Sequence, residues 1–120
     1  MSQELETVLA RMPRFGPTGW RCDSGFWQER GTTAADVVLF ERDELGNDDI
    51  NPPPAVLVVL AQEPAEAVIW VTETEQQARR YGQHPRQVAL GPDPVILAED
   101  GDHGFLIWLR GVSVNRASSR

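Results

Sequence analysis

Along the first dozen residues the apolar positions recur at helical spacing. Leu5, Val8, Leu9 and Met12 stand at i, i+3, i+4 and i+7, which predicts an amphipathic helix over residues 3–12. Ser2 suits the position before it, Glu4 and Glu6 suit its positive end, and Pro13 stops it. Residues 13–19 hold two prolines and two glycines and read as a loop. Beyond them, Gly19–Cys22 and Phe26–Arg30 read as two short strands about a turn containing Gly25.

The middle of the chain loses the helical period. Asp36–Arg42 (DVVLFER) has the branched and aromatic content of a strand, and Val56–Leu60 (VLVVL) is apolar at every position, as a central strand covered on both faces would be. Between them lie an acidic loop, residues 43–51, and the stiff Pro52-Pro53-Pro54. Val68–Val71 then predicts a further strand of an antiparallel meander. From Thr72 the polarity rises, and two overlapping capping boxes, Thr72 with Glu75 and Thr74 with Gln77, predict a short helix near residues 73–81. Gln87–Leu90 reads as one more short strand.

The strongest signal lies near the end. Pro94–Ala98 and Phe105–Leu109 are apolar runs separated by the polar cluster Glu99-Asp100-Gly101-Asp102-His103, which is the sequence form of a β-hairpin. Together these elements predict a single α+β domain over residues 1–120, with a mainly antiparallel, twisted sheet of five to seven strands and two helices. Residues 115–120 are polar and are expected to fray.

Composition narrows the class. With 41% hydrophobic and 24% charged residues in 120, the chain has enough apolar content for one core. Its longest apolar run, residues 55–61, is far short of the ~20 needed to cross a bilayer. The start of the chain has no basic stretch followed by an apolar one, and Cys22 is the one cysteine, so the expected location is the cytoplasm. The net charge of -7 disfavours nucleic acid and anionic membrane and permits a basic protein partner. All eleven basic residues are arginine. GC-rich coding explains that usage, and so does a surface that employs the planar, multi-donor guanidinium.

Three groups of residues have the chemistry of a site. Asp100, Asp102 and His103 bring two carboxylates and an imidazole within four positions, a donor set for a divalent cation, although Asp and Gly also serve a tight turn and the EF-hand spacing is not met. Asp43, Glu44, Asp48 and Asp49 form an acidic loop that either is simply solvated or steers a basic partner. Trp20 and Trp27 lie among charged residues, where tryptophan serves either the core or an interface. No nucleophile elbow, phosphate loop or zinc ligand pair occurs. The sequence therefore leads first to a non-enzymatic protein-interaction or regulatory module, of inhibitor or immunity type, with Trp20, Trp27 and the acidic loop as its surface and no cofactor. The alternatives are a small metal-dependent enzyme or metal-binding domain using the 99–103 turn, and a homodimer joined through strands 56–60 or 105–109.

Overall fold

Phe105–Leu109 forms the middle of a strand that is apolar toward both faces, and described helices and strands cover it on each side. The computed structural model describes residues 2–22, 32–44, 46–47, 50–101 and 104–110. In chain order these form α1 (Ser2–Arg11), β1 (Thr18–Arg21), α2 (Ala34–Asp43), α3 (Pro54–Leu60), β2 (Val68–Val71), α4 (Glu75–Ala78), β3 (Arg86–Ala89), β4 (Asp93–Asp100) and β5 (Gly104–Arg110). Single 3-10 turns precede β2 and follow α4, at Ala65–Ala67 and Arg79–Tyr81.

Strand β5 lies between β2 and β4 in an antiparallel sheet of order β2-β5-β4, while β1 and β3 pair as a separate two-stranded ribbon. The fold is thus α+β with antiparallel sheets of two and three strands, in place of the expected single sheet of five to seven. The ribbon and the sheet meet edge to edge at one bridge, where the Trp20 and Thr72 backbones exchange both hydrogen bonds at 3.0 and 2.8 Å.

Period-2 alternation sorts the sheet residues between two cores. On one face Val68, Trp70, Val95, Leu106 and Trp108 pack against Leu9, Ala34, Val37, Val38, Val56 and Leu60 from the first three helices. On the other face Val71 and Ile107 pack with Leu90, assisted by Phe15, Val88, Ile96, Phe105 and Leu109. In β4 the register shifts between Ile96 and Ala98. This irregularity lets both Leu97 and Ala98 join the helix-side core after Ile96 has faced the ribbon side.

The helix predicted over 3–12 and the strands predicted at 19–22, 68–71, 87–90 and 94–109 are present with shifted ends. Their pairing differs from expectation. Strand β1 pairs with the distant β3, and β2 pairs with β5 instead of continuing a meander. The strand predicted at 26–30 lies outside the described residues, as does the tail. Of the two capping boxes, the helix uses the second: Thr74 Oγ1 accepts from the Gln77 amide and Gln77 Oε1 accepts from the Thr74 amide, at 3.2 and 3.1 Å.

Two expected strands are helices. Residues 36–42 lie in α2, whose buried residues include Ala34, Val37, Val38 and Glu41 at i, i+3, i+4 and i+7, with Ala35 beside them. The sequence pattern hid this face because its last position is a glutamate. Thr33 caps the helix: its hydroxyl accepts from the Asp36 amide at 3.1 Å, and Asp36 Oδ2 accepts from the Thr33 amide at 3.2 Å. The backbone amides of Thr33 and Thr32 hold the Asp36 carboxyl below its usual range. Residues 56–60 lie in α3, where Pro54 occupies the first turn and presets a helical φ. Val56 and Leu60, one turn apart, are fully buried, whereas Val58 is 55% exposed. A short, uniformly apolar run carries no period of its own, so packing decided its conformation. Residues 56–60 are therefore unavailable as a pairing strand, and β5 has a neighbour on each edge.

An ion network fastens α1 to the open end of the hairpin. Arg14 donates to the carbonyls of Leu9 and Met12 at 2.8 and 2.7 Å, satisfying carbonyls at the end of the helix, and to Asp93 Oδ1 at 2.6 Å. Arg110, the cross-strand neighbour of Asp93, donates to its other oxygen at 2.8 Å. The Arg14 hydrogen bond, with that of Arg110 added, holds the Asp93 carboxyl below its usual range despite partial burial. Asp93→Asn is expected to cost about 1 kcal/mol near neutral pH. A carboxyl with a lowered folded-state pKa contributes its stability in full above its unfolded value, near 3.8, and loses it as pH falls through the lower folded value. Thermal melts should therefore show a gap between the two proteins at neutral pH that narrows in strong acid.

Gly104 opens β5 at φ +100°, and a Cβ there would overlap the Val71 carbonyl oxygen. Gly104→Ala is expected to lower stability by about 2 kcal/mol or more through backbone strain and this overlap, measured by urea unfolding.

Candidate functional site

A buried carboxylate on α2 ties the helix to Asn47 in the segment that follows. Glu41 lies on the core-facing side of α2 and is 2% exposed. Its Oε2 accepts from the Trp70 indole N–H at 3.1 Å and its Oε1 from the Asn47 amide group at 2.9 Å. The Asn47 backbone amide bonds the Glu41 carbonyl at 3.2 Å, and the Ile50 amide bonds the Asn47 carbonyl at 3.0 Å. Ile50 itself is 1% exposed, so the chain leaving α2 is tied to the core at both Asn47 and Ile50.

That anchoring leaves Asp43 and Glu44 in solvent at the C-terminal end of α2. Carboxylates there sit at the negative end of the helix dipole, the wrong sign for helix stability. Arg42 offsets part of this: its Nε donates to Asp43 Oδ1 at 2.8 Å, and that hydrogen bond holds the Asp43 carboxyl below its usual range. Glu44 is the C-cap residue, and its amide bonds the Phe40 carbonyl at 2.9 Å. Asp48 and Asp49 lie outside the described residues.

Trp20 belongs to a different layer. It is half-buried in β1, its backbone bonded to Thr72, whereas Asp43 and Glu44 end a helix of the layer packed on the opposite face of the sheet. The structure does not join Trp20 and the acidic residues in one element or layer, and Trp27 lies outside the described residues. At the hairpin tip, Asp100 is half-buried and pairs across the strands with Gly104, while Asp102 and His103 lie outside the described residues. Among the described residues no group of three or more His, Cys, Asp or Glu is gathered as a metal site.

Glu41 and Asn47 are the residues that sequence reasoning missed. The available signal was the helical spacing of Ala34, Val37, Val38 and position 41, with an asparagine six residues further on. Cys22 is likewise enclosed, its thiol donating to the Ala78 carbonyl at 3.1 Å.

Trp70→Phe keeps the ring packing but removes a donor from a buried carboxylate. It is expected to cost about 1–3 kcal/mol, and hydrogen exchange at the Ile50 amide should accelerate more than at the β5 amides if the carboxylate ties the loop locally. Comparison with protein-family models, curated proteins and solved structures finds no match to this chain.

Proposed function

We propose that this protein is a non-enzymatic interaction module whose acidic surface, at the end of α2 and in the loop after it, recognises a basic protein partner. The observation that carries this reading is the exposed pair Asp43 and Glu44 at the negative end of α2, on a chain segment fixed to the core through Asn47 and Ile50. An anchored acidic surface loses less conformational freedom on binding than a floppy one. Its charge speeds encounter with a cation-rich surface, and the net charge of -7 adds to that field. Asp48 and Asp49 continue the same acidic run in the sequence. Inhibitor, immunity and regulatory roles all use such a surface.

The local cost to the fold separates this role from a structural one. Glu44→Gln removes a charge of unfavourable sign from the helix end, so it is expected to leave stability unchanged or raise it by about 0.3–1 kcal/mol. The same change, combined with Asp43→Asn, should slow association with a basic partner and flatten its salt dependence. The measurement is capture from host lysate on immobilised protein at low and high salt, followed by association kinetics of the recovered partner with both proteins. A stoichiometric basic partner released by salt, and lost with the double variant, supports the proposal. Capture indifferent to salt and to both substitutions sinks it.

A further inference from the structure

The five strands end in two very different edges. On the β4 side the chain covers itself: the Phe15 amide bonds the Pro94 carbonyl and the Ile96 amide bonds the Pro13 carbonyl, both at 3.0 Å. On the far side β3 pairs with β1 and with no other described strand. The directions of its backbone groups follow from the bridge at Trp20. In an antiparallel ladder the N–H and C=O of one residue point to the same side, and successive residues alternate. Trp20 points at Thr72, so Gly19 and Arg21 point at their partners Val88 and Arg86. The Leu90 amide, bonded to the Pro17 carbonyl at 2.8 Å, keeps the same alternation. The N–H and C=O of Gln87 and Ala89 therefore face outward, and both residues are exposed.

The surface at this edge has the opposite sign to the rest of the protein. Residues 79–89 contain Arg79, Arg80 and Arg86, together with His84, and no carboxylate, in a chain of net charge -7. All three arginines are exposed. Arg79 is held by Glu75 at 2.6 Å, while Arg80 makes no ion pair among the described residues. Arg86 stands directly across from Arg21, so two guanidinium side chains leave the same face of the ribbon at the end where β3 begins. Arg79, Arg80 and the 41%-exposed Tyr81 reach that end through Gly82, which packs against the Cys22 side chain just beyond Arg21.

We propose that the edge of β3 that no described strand pairs with accepts an extended acidic segment of a partner protein by strand addition. The four outward backbone groups of Gln87 and Ala89 supply the hydrogen bonds, and the exposed Arg80 selects carboxylate side chains on the incoming strand. The net charge disfavours a nucleic-acid strand. This site is separate from the acidic end of α2 and would bind chemistry of the opposite sign.

The test is fluorescence anisotropy with a labelled peptide of alternating glutamate and valine, using a lysine–valine peptide and an oligothymidylate as controls. Binding is expected for the glutamate peptide alone, with affinity falling as salt rises. Ala89→Pro deletes an amide that no described ladder uses and is expected to weaken binding about tenfold. Arg80→Gln is expected to weaken it about threefold or more. A glutamate peptide N-methylated along one edge provides a control that leaves the protein untouched, so an unfolded proline variant does not block the result; it should lose binding. The proposal is overturned by equal or absent binding of the two peptides, by retention of affinity in the N-methylated peptide, or by preference for the oligothymidylate. It is also overturned if light scattering shows a dimer that Ala89→Pro dissociates, because the edge would then belong to a second copy.

Discussion

The two-sided burial of β5 is the constraint from which the architecture follows. Leu106 and Trp108 point to one face and Ile107 to the other, and all three are at most 2% exposed. A strand of this kind cannot lie at the surface of a one-layer sheet, because its second apolar face would meet water. The chain answers with unlike covers: three helices on the Leu106 and Trp108 side, and the β1–β3 ribbon with Phe15 on the Ile107 side. Each neighbour in the sheet repeats the division. Val68 and Val95 flank Trp108, and Ile69 and Ile96 flank Ile107. The irregularity at Leu97 keeps β4 in step with the helix layer where strict alternation would have turned a side chain away.

Within the helix layer, Glu41 stands where an apolar residue would ordinarily complete the face of α2. Burying a carboxylate is costly without donors. Trp70 and Asn47 supply them from a strand and from a loop, so one side chain joins three parts of the chain. The arrangement ties Asn47 to α2, and the Asn47 carbonyl in turn accepts from the amide of the buried Ile50. Polar burial here orients Asn47 in a way that apolar packing could not have done.

Charge is distributed with similar separation. Asp43 and Glu44 are exposed at the C-terminal end of α2 in the helix layer, whereas residues 79–89, which carry three arginines and no carboxylate, form the turn and strand at the far edge of the ribbon. Arg14, Asp93 and Arg110 consume their charges internally, tying the end of α1 to the ends of β4 and β5. The chain thereby presents regions of opposite sign on different layers, despite its overall acidity.

The sequence by itself determined the elements whose signals are local. Helix α1 was legible from its complete i, i+3, i+4, i+7 face and Pro13, the hairpin from two apolar runs about a polar turn, and α4 from its capping box. Only the tertiary structure decided α2 and α3: a buried glutamate disguised the period of the first, and uniform apolarity erased the period of the second. It also decided which strands pair, since β1 finds β3 across more than sixty residues and β2 finds β5 rather than its sequence neighbour. Periodicity reports how a segment meets an apolar surface. It contains no record of which distant segment provides that surface, and that choice belongs to packing around β5.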